Sequence, residues 1–250
     1  KSIPIYSVSR YRSRMIGIST YCLIEEPLAD ALDRLSALTD RIEIMDEGLH
    51  FIENPDLLES YSADFSLHAP FHGMNIACTF EAVRKACVRV MADCFAVAAE
   101  AGAPVVIHPG YFAWKNEEDL AGRQFRKSLA ELDEAAREHS VIFSFENMGN
   151  TNFFNLRTPY DLASIEDAHF TLDVGHANLN RCLPEFLTTP FCHMHLHDNN
   201  GKLDSHSTVG EGIIDFRPVI AAMKQKNASA VIEVRSFDGA VKSLKLLEEM

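Results

Sequence analysis

Short runs of apolar and β-branched residues recur along this chain, and longer stretches with a different spacing of apolar positions separate them. Each short run is a predicted strand, because nearly continuous apolar residues are typical of parallel strands that are covered on both faces. The eight predicted strands lie at residues 15–19, 41–45, 64–68, 104–108, 141–146, 169–173, 191–197 and 230–234.

The longer stretches carry apolar residues three and four positions apart, which is the spacing of an amphipathic helix. Helices are predicted at residues 27–38, 79–101, 116–139 and 239–249. The helical pattern is weaker after the second, fifth, sixth and seventh strands. Further helix starts are indicated by the cap residues Asn54, Thr158 and Asp215, the first two of which precede a proline.

The alternation of strands and helices predicts a single-domain (β/α)₈ TIM barrel over residues 15–250. An open doubly wound sheet is the alternative, but no glycine-rich phosphate-binding fingerprint follows the first strand. Residues 1–14 precede the first strand and contain four basic residues and no acidic one. We interpret them as an extension outside the barrel, either disordered or a start-site artefact.

The charge balance limits the classes of partner. Among 250 residues, 36 Asp and Glu outnumber 23 Lys and Arg, so the formal net charge is −13. This balance disfavours DNA, because nucleic-acid binding by charge needs a basic surface. The sequence has no run of about 18 apolar residues and no signal peptide, so we expect a cytoplasmic protein outside membranes. Six cysteines without a C-x-x-C pair predict buried free thiols.

Potential metal ligands lie at the ends of six consecutive predicted strands, where the active site of such a barrel is built. These residues are His68, His108, Glu146, Asp173, His195 and Glu233. The loops beyond the sixth and seventh strands add His176, Asp204 and His206. Four carboxylates in one confined site are costly unless cations neutralise them. Imidazole and carboxylate without thiolate suit Zn²⁺ best, with Mn²⁺ and Fe²⁺ as other candidates, and nine ligands suit two or three ions.

Several short motifs of this chain occur together in one known superfamily. They are LHAPF, VIHPG, FENMG, LDVGHAN, HMHLHDN, DSH followed by VGEGIIDF, and VIEV. Through these motifs residues 15–250 resemble the xylose isomerase-like TIM barrel superfamily. The pattern of ligands resembles that of the endonuclease IV branch, which is AP endonuclease family 2.

The resemblance to endonuclease IV implies three zinc sites. The first set of ligands is His68, His108 and Glu146. The second set is Glu146, Asp173, His195 and Glu233, and the third set is His176, Asp204 and His206. The resemblance also implies that the metals hold a phosphate ester or diester and activate a hydroxide for attack at phosphorus. A metal-dependent phosphoesterase is therefore the expected activity, with abasic-site DNA as one specific substrate.

The sugar isomerases and epimerases of the same superfamily supply the alternative. Resemblance to them implies one metal at the second set of ligands, with Glu146 and Glu233 as proton-transfer acid and base. The other five ligand positions are not needed for that reaction, so their presence favours hydrolysis. Short loops after the first two strands, and His197 in the HLHD sequence, favour the isomerases. A non-catalytic barrel that binds a small sugar acid or a nucleotide as a sensor is a third hypothesis, which loss of metal ligands would support, and none is missing.

Six further residues near the strand ends are predicted substrate contacts. They are Phe71, Tyr111, Trp114, His197, Lys202 and Arg235. The three aromatic residues follow ligand-bearing strands and present faces on which a sugar or a base stacks. The histidine is expected at the rim, and the two cations suit a phosphate or a carboxylate. The expected substrate is a small phosphorylated molecule or a sugar.

Overall fold

The computed structural model describes residues 15–151 and 153–250, so the predicted extension at residues 1–14 lies outside the described residues. Parallel strands close into a barrel in which each strand pairs with the next, and the last pairs with the first. The strands are β1 (Ile16–Ser19), β2 (Arg41–Met45), β3 (Asp64–His68), β4 (Val105–Ile107), β5 (Phe143–Glu146), β6 (His169–Asp173), β7 (His193–Leu196) and β8 (Ser229–Ile232). The predicted TIM barrel is confirmed.

Helices lie between the strands and cover the outside of the barrel. They are α1 (Leu28–Ser36), α2 (Asp56–Glu59), α3 (Glu81–Ala101), α4 (Glu118–His139), α5 (Val174–Leu179), α6 (Leu183–Phe186), α7 (Phe216–Lys226) and α8 (Phe237–Glu248). Short 3-10 helices occur at Thr20–Leu23, Gly48–His50, Lys115–Glu117 and Pro159–Ile165. The four predicted helices are confirmed, and their ends differ from the prediction by no more than two residues.

The predicted helix starts are stabilised by side-chain hydrogen bonds. Asp215 caps α7 by accepting the N–H of Arg217. Thr158 begins the 3-10 helix Pro159–Ile165 with a capping box, in which side chains and backbone N–H groups bond reciprocally. The Asn54 side chain accepts the N–H of Asp56 at the start of α2. These bonds satisfy backbone donors that have no partner inside a helix.

The strands separate two layers of side chains, because side chains alternate in direction along a strand. Outward residues such as Ile42, Leu67 and Phe145 belong to the apolar core between the strands and the helices. The alternate positions face the interior of the barrel. They include the buried polar residues Glu43, Ser66, Ser144, Thr171 and His193. The barrel interior therefore carries a polar layer directly below the strand ends.

The prediction of buried free cysteines is met in part. The cysteines are free, which confirms that prediction, but only half of them are buried. The buried ones are Cys22, Cys87 and Cys94. Within the described ranges, no helix combines the length and the apolar content that crossing a membrane requires.

Candidate metal centre

The carboxyl ends of the strands and the loops beyond them bring the nine predicted ligands to one mouth of the barrel. In a parallel sheet the last residues of neighbouring strands lie side by side, as Asp173 of β6 and His195 of β7 do. Closure of the sheet turns this row of strand ends into a ring. Residues that are far apart in sequence thus come within a few ångströms of one another.

Glu146 at the end of β5 is buried at the centre of these ligands. Its Oε2 atom is 3.3 Å from Nε2 of His68 and 3.3 Å from Nε2 of His108. Its Oε1 atom is 3.0 Å from Nδ1 of His176. Burial raises the pKa of the Glu146 carboxyl, but the imidazoles around it, led by His195, hold that pKa well below its ordinary value. The carboxylate is therefore ionised and could serve as a ligand of a divalent cation.

The Nδ1 atom of His195 points into a group of three carboxylates. It is 3.5 Å from Oε2 of Glu146, 3.5 Å from Oε2 of Glu233 and 3.9 Å from Oδ2 of Asp173. The atom is buried and has no aligned hydrogen-bond partner. Burial lowers the pKa of His195, but the carboxylates, led by Glu233, raise it well above its ordinary value. Without a cation this site takes up a proton, which binding of a cation releases.

A second group of ligands combines His176 of α5 with Asp204 and His206 from the loop after β7. His176 Nε2 is 3.0 Å from Oδ2 of Asp204, and His206 Nε2 is 3.5 Å from Oδ1 of the same carboxylate. Burial lowers the pKa of His206, but Asp204 and neighbouring carboxylates raise it to about 9. The His206 backbone has a φ of 42°, in the left-handed region that residues other than glycine rarely adopt. The loop is therefore held in a specific and costly conformation.

Asp198 holds this loop against the barrel. Its backbone forms two hydrogen bonds of 2.9 Å with Ser207, one as donor and one as acceptor. Its carboxylate accepts the N–H groups of Gly210 and Gly212 at 3.0 and 2.9 Å. A Cβ atom on Gly212 would lie 2.2 Å from the Asp198 carboxylate, so this position requires glycine. These contacts explain why the DSH triplet reaches back over the mouth.

The ligand atoms gather into overlapping groups, in each of which the atoms lie within 4.8 Å of one another. Four groups lie at the mouth, namely His68, His108 and Glu146; Asp173, His195 and Glu233; Glu146, Asp173 and His176; and His176, His197, Asp204 and His206. A fifth group, Glu43, His193 and His195, lies below them. Carboxylate and imidazole donors of this kind hold divalent cations. The unpartnered and buried Nδ1 atom of His195 adds a specific reason for a cation here. The residues present therefore fit a divalent metal.

A cavity of about 420 Å³ opens above the ligands. Three of the predicted substrate contacts line it, namely Phe71, Tyr111 and Arg235. The Phe71 ring lies 4.9 Å from the His108 ring, and Arg235 donates a hydrogen bond of 3.2 Å to the backbone carbonyl of Asp204. The cavity is thus bordered by an apolar face on one side and a guanidinium on another.

The other three predicted substrate contacts lie elsewhere. Trp114 is 68% exposed, Lys202 is also exposed, and neither lines the cavity. His197 is fully buried below the cavity rather than at its rim, and its Nε2 atom is 3.1 Å from both carboxylate oxygens of Asp173. The reason is the alternation of side chains along the strand, because His197 is two residues after the inward-facing His195 and therefore also points into the barrel.

The structure adds residues that the sequence analysis did not select. Glu43 lies in the middle of β2, below the strand ends, and contacts both His193 and His195. Asn147 links β5 to β6, because its side chain donates to the carbonyl of Asp173 and accepts the N–H of the same residue. A charged residue in the middle of the apolar run RIEIM was the available signal for Glu43. Asn147 had none, because its role depends on the neighbouring strand.

Comparison with known proteins places the chain in a family. Residues 53–250 match the family described as Xylose isomerase-like TIM barrel. An uncharacterized protein of Methanocaldococcus jannaschii is 31% identical over 82% of this chain and 89% of its own length. The crystal structure of a D-tagatose 3-epimerase-like protein has a TM-score of 0.86 and 29% identity, over 94% of this chain and 96% of that chain. The 3-keto-D-glucoside 4-epimerase YcjR of E. coli shares the fold, with a TM-score of 0.75 and 17% identity, over 94% of this chain and 99% of that chain.

The predicted activity, a metal-dependent phosphoester hydrolase, is wrong, whereas the predicted superfamily is confirmed. Sugar epimerases recur among the similar structures, and the D-tagatose 3-epimerase-like protein is similar in sequence as well as in fold. The physical reason for the error is that one shell of carboxylates and imidazoles suits a cation for either reaction, so the ligands alone do not select the chemistry. The motifs and the closed barrel still agree on the family, and the chain belongs to the xylose isomerase-like TIM barrel family.

Proposed function

We propose that this protein is a divalent-metal-dependent epimerase or isomerase that acts on a small sugar. The observation that carries the proposal is the placement of two glutamates. Glu146 and Glu233 each have a carboxylate oxygen 3.5 Å from Nδ1 of His195. They come from β5 and from the residue after β8, which are three strands apart in the closed barrel. The two carboxylates therefore approach one small volume from different sides.

The cation is assigned to Glu146, Asp173, His195 and Glu233. When bound there, a divalent ion polarises a sugar carbonyl and so makes the hydrogen on the adjacent carbon more acidic. Zn²⁺ suits this donor set, and Mn²⁺ and Fe²⁺ are the other candidates. The candidate ligand groups that contain His108 and Asp204 are then available for further cations or for hydroxyl groups of the substrate.

The two glutamates perform the proton transfers. One carboxylate removes the proton from the carbon next to the carbonyl, and the other returns a proton to the opposite face of that carbon or to its neighbour. Imidazoles hold the pKa of Glu146 below its ordinary value, so this carboxyl is ionised. The polar wall at Asp204 and His206 orients sugar hydroxyls, and the Phe71 ring covers an apolar face of the sugar. Arg235 at the cavity edge suits an anionic substituent.

Solvent exchange tests this proposal directly. The protein is loaded with Zn²⁺, Mn²⁺ or Fe²⁺ and incubated with D-tagatose or D-fructose, and with their phosphates, in D₂O. We expect deuterium to replace the hydrogen at the carbon next to the carbonyl, and an epimer or isomer to appear in the proton NMR spectrum. If neither deuterium incorporation nor a new epimer or isomer is seen with any of these sugars, the proposal is overturned.

Matched variants identify the groups that act. Glu146→Gln and Glu233→Gln should abolish exchange, whereas Glu59→Gln, an exposed glutamate on α2, should leave it unchanged. Elemental analysis of protein purified without chelator gives the number of metals per chain, and His206→Ala shows which of them depends on the DSH loop. A single ion that is unaffected by His206→Ala would restrict the centre to the set around His195.

A further inference from the structure

Below the proposed cation site, the barrel interior contains a buried carboxylate that the proposed reaction does not use. Glu43 lies in the middle of β2 and has no exposed surface. Its two oxygens face different histidines of β7, with Oε1 2.9 Å from Nε2 of His195 and Oε2 3.1 Å from Nε2 of His193. The Ser66 hydroxyl donates a hydrogen bond of 2.8 Å to Oε2. Glu43 is therefore one layer below the mouth but in direct contact with a proposed ligand.

The two nitrogens of the His195 ring face opposite ways. Nδ1 points to the carboxylates of Glu146 and Glu233 at the mouth, and Nε2 points down to Glu43. A neutral imidazole carries one N–H, and the other nitrogen has the lone pair that binds a cation. An ionised carboxylate only accepts hydrogen bonds. A carboxylate below the ring thus favours the form with the proton on Nε2 and the lone pair on Nδ1.

We propose that Glu43 is a positioning residue for the metal centre, which fixes the orientation and the tautomer of His195 so that Nδ1 binds the cation. The inference rests on the cation site of the proposed function. The Nε2 contacts are short but not aligned as hydrogen bonds. The terminal torsion of a glutamate is broad, so little energy opposes a turn of the Glu43 carboxylate towards the ring nitrogens.

The cost of burial supports this role. An isolated carboxylate in the core of a barrel is strongly unfavourable, and an apolar residue of similar size avoids the cost. Glu43 is not isolated there, because Nε2 of His195, Nε2 of His193 and the Ser66 hydroxyl lie 2.8 to 3.1 Å from its carboxylate oxygens. His193 is held in turn by a 2.7 Å hydrogen bond between its Nδ1 and the Ser229 hydroxyl. Residues of β2 and β8 thus surround the histidines of β7, and Glu43 of β2 contacts the His195 ring directly.

The test compares Co²⁺ binding by the full chain and by Glu43→Gln. Co²⁺ is added to chelator-treated protein, and its visible absorption reports both affinity and coordination. We expect Glu43→Gln to bind Co²⁺ roughly 10- to 100-fold more weakly and with an altered spectrum. Asp46→Asn is the matched control, because Asp46 follows β2, is equally buried, and accepts the backbone N–H of Ile52 away from the ligands. It should bind Co²⁺ as the wild type does.

Ring-nitrogen NMR supplies a second readout that a general loss of stability does not move. In ¹¹³Cd-loaded, ¹⁵N-histidine-labelled protein, we expect coupling from cadmium to Nδ1 of His195. In Glu43→Gln that coupling should weaken or disappear while the dispersion of the other signals is retained. If Glu43→Gln fails to fold, His193→Gln serves instead, and we expect it to weaken Co²⁺ binding less than tenfold.

The outcomes separate this inference from the proposed function. A wild-type chain that binds no Co²⁺ would overturn the metal centre itself. Binding by the wild type together with unchanged affinity and spectrum in Glu43→Gln would overturn only the role of Glu43. Cadmium coupling to Nε2 of His195 or of His193 would also overturn it, because Glu43 would then be a ligand of a lower cation rather than a positioning residue.

Discussion

Two clusters of charged residues in this protein differ in how completely their buried polar atoms are paired by hydrogen bonds within the chain. The cluster between α3 and α4 is centred on Arg84, which has no exposed surface. Its guanidinium donates to both carboxylate oxygens of Glu81, to both oxygens of Glu131, and to the Ser128 hydroxyl, at 2.7 to 3.2 Å. The guanidinium therefore makes five hydrogen bonds, and the cluster is satisfied by groups of this chain.

The cluster at the barrel mouth is different. Several carboxylates surround imidazoles there, and five buried atoms at or below the ligands lack an aligned partner, namely both ring nitrogens of His195, Oε1 of Glu43, Nε2 of His193 and Nδ1 of His197. Buried polar atoms without partners are unfavourable in a folded protein. The comparison indicates that a satisfied cluster serves the fold, whereas an unsatisfied one is built for a ligand from outside the chain.

The largest effect that distinguishes the clusters is expected in catalysis. Removal of one proton-transfer group by Glu233→Gln should lower the turnover rate by about 10³-fold, which lies in the usual range for general acid–base catalysis. Arg84→Met should leave the turnover rate unchanged. Initial rates of epimerisation at saturating metal measure both. An equal loss of turnover rate in Glu233→Gln and Arg84→Met would show that the barrel mouth contributes no more to catalysis than the cluster between α3 and α4.

Metal removal should also affect the two clusters differently. A cation that binds only the folded chain, at about 1,000 times its dissociation constant, adds about 4 kcal/mol to the free energy of unfolding. Chelation should therefore lower the thermal midpoint of the wild type and of Arg84→Met by similar amounts. Glu146→Gln should show little shift. Calorimetry with and without chelator measures the difference, and a wild type that is indifferent to chelation would contradict it.

Loss of Arg84 should lower stability without affecting the mouth. Arg84→Met removes the hydrogen bonds of a buried guanidinium, but the Glu81 and Glu131 carboxylates that it leaves behind are open to solvent, so we expect the free energy of unfolding to fall by about 1 to 2 kcal/mol. Urea unfolding with added metal measures this loss. Metal content per chain should stay at the wild-type value, and a drop in metal content would mean that the two clusters are coupled.

The smallest expected effect is the acid dependence of the Arg84 cluster. Hydrogen bonds from Arg84 and Gln124 lower the pKa of Glu81 to about 2 from its ordinary value of 4.5. The unfolded chain therefore takes up this proton at a higher pH than the folded chain. The contribution of Glu81 to stability is complete above about pH 4.5 and is lost as the pH falls towards 2. Stability of Glu81→Gln should vary less with pH over this window, as measured by urea unfolding.

The pattern along the chain predicted the architecture well because strands and helices are local. The run RIEIM predicts residues 41–45 as a strand, and β2 has those bounds. Strand ends were less certain: the run at residues 191–197 became the shorter β7. The chain leaves the sheet after Leu196, where the backbone of Asp198 pairs instead with Ser207 of the loop that carries His206. Boundaries depend on such tertiary contacts, which the local pattern does not contain.

The candidate site was predictable in its ligands and not in its chemistry. Histidines and acids at the ends of consecutive strands must meet when the sheet closes, so His68, Glu146 and Asp173 were selected from the sequence. The reaction was predicted as hydrolysis, because the ligands resemble those of a multinuclear phosphoesterase. Similar sugar epimerases corrected that prediction. The ligand types do not encode which substrate atom faces the cation, and the reaction depends on that orientation.

The sequence by itself determined the eight strands, their order, and the type of donor at each strand end, because side-chain periodicity and residue chemistry are properties of the chain. Only the tertiary structure decided which donors share one cavity, that His197 lies below it, and that Glu43 contacts His195 from beneath. Those relations arise from the closure and register of the barrel, which bring together strands as distant in sequence as β2 and β7. Distances across a closed barrel are set by all eight strands at once, so no local segment carries them.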